Sequence, residues 1–361
     1  MTEKLQRLRQ LLHDKQLDGV LLTRRDNVAW LTEGASFYVV DRAEVGVASL
    51  LVAADAVTLI APENELPRIL AEEPLPFAIN TRSYAWYQTP DAALGTWPRI
   101  GSDTPRAGAT DLQNALIDLR HGLNAAERER FALLGQQVAA VVEDVARGVR
   151  VGVTEQAVEA EIYARCLPLA IRPVCTLIAA DARIAAWKHP TPGPTPLRQQ
   201  MLITLGAERH GLNVSVTRMV HVGEPSADDR ARLRTVAEIH ADIIAASRPG
   251  RAWQAIFSDI QASYARHGFP NAWRAHHQGG PAGYGCRDFI VTMATPGRLV
   301  APQALAWNPT LPGVKSEETV VITAEGPQFL TRTDAWPTIA LRRGKSLWHF
   351  ADWLVLTDRK N

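Results

Sequence analysis

Residues 201–222 read Met201-Leu-Ile-Thr-Leu-Gly-Ala-Glu-Arg-His-Gly-Leu-Asn-Val-Ser-Val-Thr-Arg-Met-Val-His-Val222. The runs Met201–Ala207 and Leu212–Val222 are rich in apolar residues, and Glu208-Arg-His-Gly211 between them is turn-like. Two buried strands joined by a hairpin follow from that pattern. On the amino-terminal side, Pro190 to Pro196 holds four prolines and must be a rigid loop. Further back, Gly122-Leu-Asn-Ala-Ala-Glu127 offers Asn124 as a helix cap with an acidic first turn. A helix to about Arg147 is expected, then a second from the Thr154 cap to about Leu169. On the carboxyl-terminal side, helices are expected near Asp228–Ser247 and Trp253–His267. The loop His276-His-Gln-Gly-Gly280 and a strand–turn–strand over Val320–Leu330 follow them. Helices mixed with antiparallel hairpins make this region α+β. Two helices and a β-region in each half hint at an internal duplication.

The His276-His277 pair lies ahead of two glycines, which open backbone conformations closed to other residues. Adjacent imidazoles in such a loop point to a site; a solvated turn with incidental histidines is the plainer alternative. Ahead of the boundary near residue 122, Leu5, Leu8, Leu11 and Leu12 recur at helical spacing. Leu17–Thr23 reads as a turn and a buried strand, and Val47–Ala53 with Ala56–Ala61 as a hairpin. Helices over Glu65–Glu73 and Thr110–Arg120 complete an α/β domain of about 120 residues.

With 39 basic and 38 acidic residues, the formal net charge is +1, which argues against nucleic acid as a partner. Cys166, Cys175 and Cys286 form no Cys-x-x-Cys pair, so a reduced, cytoplasmic setting is expected. The amino terminus starts as a charged amphipathic helix without a signal-peptide core, and no apolar run has the length of a membrane span. The apolar stretch Trp348–Leu356 demands burial against its own chain or a second subunit.

Several phrases together resemble one family. Asn27-Val-Ala-Trp-Leu-Thr32, after a helix and a strand, resembles the amino-terminal domain of prolidases and creatinase. Leu205-Gly-Ala207, Gly211 and Val216-Thr-Arg218 are similar to the family's "DxGA…GY…SDxTR" hairpin. His276–Gly280 resembles its "GHGIG" loop, and Gly313-Val-Lys-Ser-Glu-Glu-Thr-Val-Val-Ile-Thr323 its "GVRIEDTVLVT" segment, with Gly326-Pro continuing the match. From about residue 3 to 342 the chain is thus similar to the pita-bread-fold peptidases, which include methionine aminopeptidase, prolidase, aminopeptidase P and the hydrolase creatinase. The resemblance implies a creatinase/prolidase-like domain over 1–122, a pita-bread catalytic domain over 123–345, and an apolar extension over 346–361.

Peptidases of that family hold two metal ions with two aspartates, a histidine and two glutamates. By the resemblance these five positions fall on Thr204, Ser215, His277, Asn308 and Glu317. Three carboxylates have become neutral groups. A two-ion centre needs carboxylates to offset about four positive charges, and Thr, Ser and Asn are weak neutral donors. No metal cofactor is therefore expected.

Creatinase, at the level of the family, hydrolyses a C–N bond with side chains alone, a histidine activating water. That histidine's position resembles His189 in Trp187-Lys-His-Pro190. A neutral imidazole is a suitable general base near pH 7; a loop histidine touching the core is the alternative. His277 would polarise a carbonyl or orient water, and Glu317 would hold a cationic substrate group. His276, Arg218, Tyr284, Asn308, Lys315 and Trp307 are expected around the substrate. For Arg218, support of the site is the first reading; Tyr284 and the tryptophans would equally pack. The expectation is a metal-independent, creatinase-like hydrolase of a C–N bond in a small polar molecule, working as a homodimer. A metal-dependent Xaa-Pro dipeptidase or aminopeptidase with an altered site, and a non-catalytic small-molecule binder, are the alternatives.

Overall fold

The computed structural model describes residues 2–357; Met1 and the last four residues of the expected extension, 358–361, lie outside that range. Two compact units divide it, Met1–Arg120 and His121–Asn361.

In the first unit the helix Glu3–Asp14 is capped by Thr2 and buries Leu5, Leu8 and Leu12. A six-stranded mixed sheet follows, with Gly19–Arg24 at its centre. That strand pairs antiparallel with Val45–Ala53 and parallel with Ile100–Ser102. Val57–Pro62 continues the antiparallel run as the expected hairpin. The start of the segment expected to be helical near Thr110 is an edge strand, Ala109–Asp111, and the helix begins only at Gln113. Asp111, just ahead of the helix, accepts from the Gln113 backbone N–H at 2.9 Å through its carboxylate, a local turn that separates the edge strand from the helix.

The second unit opens with Ala125–Gly148, entered through a capping box. Asn124 Oδ1 accepts from the Glu127 N–H at 2.8 Å, and Glu127 Oε2 accepts from the Asn124 N–H at 2.8 Å. Glu155–Cys166 follows from its Thr154 cap, ending in a short 3-10 turn over Leu167–Leu169. Three antiparallel strands come next: Arg172–Ala180, Gln200–Arg209 and Leu212–Val222. The last two are the expected hairpin. Its turn is tighter than the sequence suggests, with Arg209 paired to Leu212 across His210 and Gly211. Both turn residues have positive φ, 53° and 84°, the requirement of a two-residue turn that matches strand twist.

The order of elements then repeats. Helices Ala227–Ala246 and Trp253–Arg266 precede a second antiparallel sheet of Gly279–Pro281, Gln303–Trp307, Glu318–Ile322 and Pro327–Phe329. The two sheets are stitched at one place. The Thr217 N–H donates to the Glu317 carbonyl at 3.2 Å. Thr319 Oγ1 accepts from the Ser215 N–H at 2.8 Å and donates to the Ser215 carbonyl at 2.9 Å.

The apolar carboxyl-terminal stretch is not a separate extension. Ser346–Ala351 forms a hairpin with Thr338–Arg343, and Leu354–Leu356 adds a parallel edge to Leu212–Val222. Phe350 and Trp353 are buried in the core shared with the second pair of helices. The burial requirement is met inside the unit, so it supplies no argument for a second subunit. Among the described residues, no helix is long and apolar enough to cross a membrane.

Candidate functional site

Backbone constraints bring two distant loops together. Gly279 has φ 100°, and a Cβ there would lie 2.1 Å from the Ala306 carbonyl oxygen; one at Gly280 would lie 2.5 Å from that of Phe289. Only glycine lets the loop come this close to its neighbours. Gln278, generic in the sequence, locks the loop from within. Its Oε1 accepts from Tyr264 Oη at 2.8 Å, and its Nε2 donates to the carbonyls of His276 at 2.7 Å and Trp273 at 3.2 Å. The loop is therefore no solvated turn, and His276 is buried. His189 comes from the proline-rich loop, which Glu155 holds by accepting from the Gly193 N–H at 2.8 Å and pairing with Arg183.

Nε2 of His189 and Nε2 of His276 stand 3.0 Å apart. One of the two nitrogens must carry the hydrogen and the other the lone pair. His277 stacks on His276, ring centroids 4.3 Å apart, and its ring lies 5.6 Å from that of His189. One ring nitrogen from each of the three falls within 4.8 Å of the others, close enough for a shared ion. Of the three, His189 is exposed. Nδ1 of His276 and of His277 is buried without a hydrogen-bond partner.

A buried charge cluster adjoins them. Lys315, on the short hairpin of Thr310–Leu311 with Val314–Lys315, donates from Nζ to Glu317 Oε2 at 2.7 Å. Arg287 donates to Glu317 Oε1 at 2.9 Å and to Ser215 Oγ at 3.0 Å. Thr217 Oγ1 donates to Glu317 Oε2 at 2.7 Å. Thr204 meets Thr217 at 2.6 Å, and since the Thr217 hydroxyl hydrogen is committed to Glu317, Thr204 is the donor. Burial alone would raise the Glu317 pKa, but Lys315 and Arg287 outweigh it and hold the carboxyl at about 2.

The same charges act on the imidazoles. Burial, reinforced by Lys315, pushes His276 down to about 3. Burial and Arg287 push His277 to about 4. His189 is lowered too, by burial first and Lys315 second, with Glu317 pulling the other way. All three are neutral at pH 7, able to accept a proton but holding no extra one to donate.

Several expected roles need correction. Arg218 is 1% exposed and has no donor left for a substrate. It binds Glu143 and Glu318, each at about 3 Å, and the carbonyls of Thr217 and Thr331. Tyr284 is buried with its hydroxyl donating to Glu127 Oε1 at 2.7 Å, where it supports the capped helix. Trp307 is fully buried and donates to Ser247 Oγ at 3.0 Å, so it packs the core. Glu317 does not await a cationic substrate group, because both its oxygens already face cations of this chain. Asn308 is buried with Oδ1 unpartnered. Arg287 was missed. It sits ten residues after His277 in a glycine-rich loop, and its partners lie 72 and 30 residues away.

The chain matches two family models: metallopeptidase family M24 over residues 130–324, and the creatinase/prolidase N-terminal domain over residues 4–186. A Xaa-Pro dipeptidase of Pyrococcus furiosus is 22% identical over 357 residues, covering 92% of this chain and 99% of that one. Among solved structures, the prolidase of Pyrococcus horikoshii superposes with a TM-score of 0.78 at 20% identity, covering 92% of this chain and 99% of that chain. A Xaa-Pro dipeptidase of Bacillus anthracis superposes at 0.76 and 17% identity, covering 98% and 99%. At these identities the superpositions speak for the fold.

Proposed function

As this chain belongs to metallopeptidase family M24 and carries the creatinase/prolidase N-terminal domain, we propose that it hydrolyses a C–N bond in a small polar molecule without the two metal ions of the family's peptidases. The state of Glu317 carries this reading. The one carboxylate left among the five ligand positions is already neutralised by Lys315 and Arg287 and bonded by Thr217. Lone pairs spent on two tethered cations are not free to bridge two ions. Thr204 spends its hydroxyl hydrogen on Thr217 and Ser215 its oxygen on Arg287, so neither supplies the missing negative charge. The donor set does not fit a two-ion centre.

The chemistry then falls to side chains. His189, neutral and exposed, takes a proton from water as the oxygen attacks the carbonyl carbon of the scissile bond. His189 donates its Nε2 hydrogen to Nε2 of His276, which holds the outer ring in orientation and leaves Nδ1 of His189 as the nitrogen that takes the proton. As the C–N bond breaks, the proton on the imidazole passes to the leaving nitrogen, which departs as a neutral amine. His277 stacks on His276 and brings a buried Nδ1 that has no partner. Since the relatives are Xaa-Pro dipeptidases, Xaa-Pro dipeptides are the first substrates to try. A cytoplasmic homodimer completes the proposal; sedimentation velocity and cell fractionation test those two points.

One observation favours a second reading, a peptidase that uses one divalent ion on His189, His276 and His277, whose ligand atoms lie within 4.8 Å of one another. Against it stand Lys315 and Arg287, whose charges already oppose a proton on these rings and oppose a dication more strongly. Turnover of a panel of dipeptides and N-acyl or amidino compounds by chelator-treated protein, followed by mass spectrometry, tests the proposal. Released amine that disappears in H189A supports it; a panel untouched until a divalent metal is added refutes it.

A further inference from the structure

Lys315, Arg287 and Glu317 together carry one net positive charge, and the three imidazoles beside them add none at pH 7. Lys315 and Glu317 are 6% and 4% exposed. A buried charge without a counter-charge is costly, and the cost is relieved by a ligand of opposite sign. Hydrogen-bonding capacity remains to receive one. Among the described residues, the Lys315 ammonium has a single partner, Glu317, for three hydrogens. Arg287 Nε is buried with no acceptor.

From this geometry we propose that Lys315 and Arg287 form a binding site for an oxyanion of the ligand, doing with tethered cations what the family's peptidases do with metal ions. The proposal rests on the metal-free reading and names what that reading leaves open, the sign of the group that the site accepts. It reverses the expectation drawn from the sequence, in which Glu317 anchors a cation. Glu317 instead positions the two cations. Its Oε2 holds the ammonium and its Oε1 the guanidinium, which also reaches Ser215 on the hairpin. The oxyanion has two sources with the same chemistry: a carboxylate carried by the substrate, or the oxygen that gains charge when water adds to the scissile carbonyl. A guanidinium and an ammonium side by side suit either, the first by its planar fork and the second as a point charge.

The test is binding to the chelator-treated full chain, by calorimetry and by shift of the melting temperature in low-chloride buffer. Sodium acetate serves as the planar probe, inorganic phosphate as the tetrahedral one and methylguanidinium as the cation. An anion is expected to bind and raise the melting temperature, and methylguanidinium to do neither. Acetate binding assigns the site to a substrate carboxylate; binding of phosphate alone assigns it to the oxyanion of the reaction. K315M leaves Glu317 paired with Arg287, so the fold survives while anion affinity falls about tenfold or more. K315R retains binding, and the exposed Lys345 serves as control, K345M binding as the parent does. E317Q removes the one negative charge and should tighten the anion, whereas a cation anchor or a metal centre would be weakened by it. Equal anion affinity in the parent and K315M, or weaker affinity in E317Q, overturns the proposal. Anion binding that follows this pattern without turnover of any substrate supports the site while removing the hydrolase reading, so the two failures are distinct.

Discussion

His276 meets His189 nitrogen to nitrogen, Nε2 to Nε2 at 3.0 Å, across 87 residues of chain. Two neutral imidazoles at that distance share one hydrogen, so the exposed ring is held and tuned by the buried one. If they act as a unit, their removal is non-additive. H189A is expected to lower kcat by about two to four orders of magnitude with its melting temperature unchanged, because the ring is exposed. H189A/H276A should lose little more than H189A. A double variant whose losses multiply would separate the two residues, measured by steady-state kinetics on any substrate found.

The pH profile carries a second signature. A base works only when deprotonated, so activity rises with pH through its pKa. Burial and the Lys315 ammonium depress the His189 value. The acid limb of kcat/KM should therefore lie below the ordinary imidazole range near 6.5. In K315M the ammonium is gone and the limb should move upward. An acid limb unmoved by K315M would mean that the titrating base is not this histidine.

The buried histidines also tie stability to pH. His276 and His240 are lowered to about 3, and His277 to about 4, chiefly by burial. In the unfolded chain each binds a proton near pH 6.5, while the folded chain refuses it until much lower pH. Stability should be full above pH 6.5 and fall as pH drops from there toward about 3, at a slope of up to about 1.4 kcal/mol per pH unit for each histidine. Urea melts between pH 7 and 4.5 measure this, and H240Q, whose ring bonds Ser316 at 2.8 Å, should flatten the slope. A midpoint unchanged over that range would contradict the burial of these rings in neutral form.

Arg218 offers a structural contrast to Arg287. Its guanidinium is enclosed by Glu143 and Glu318, and Thr333 also bonds Glu143. R218M leaves two buried carboxylates without their cation and should cost about 3–5 kcal/mol of stability, read by denaturant unfolding. With Tyr284 likewise turned to Glu127, Y284F should lower stability by about 1 kcal/mol and leave KM alone. A rise in KM in Y284F at unchanged stability would restore its substrate-facing role.

What the sequence reveals and conceals divides by distance along the chain. The Asn124 cap, the 201–222 hairpin and the glycines after Gln278 are local signals, each set by a few neighbouring residues, and they are legible. The Leu354–Leu356 strand is not, because its partner Val220–Val222 is over a hundred residues back and a three-residue edge has no period to read. The site follows the same rule. His189, His276, His277, Lys315 and Glu317 stand out by type and by resemblance to the family's phrases. Their partners do not: nothing near Arg287 tells that it meets Glu317, and nothing near Arg218 tells that Glu143 and Glu318 consume it. Roles assigned to single residues fail where a long-range partner has already taken their charge.

If Lys315 and Arg287 stand where the two-ion centre of the family's peptidases would be, the purified protein neither holds nor needs those ions. The decisive measurement is metal content and turnover on the same purified protein before and after exhaustive chelation. Zinc, manganese and cobalt are expected to be substoichiometric, and hydrolysis to survive chelation. Near-stoichiometric metal, lost on chelation together with activity and restored with it, would mean that the two-ion centre is still in place.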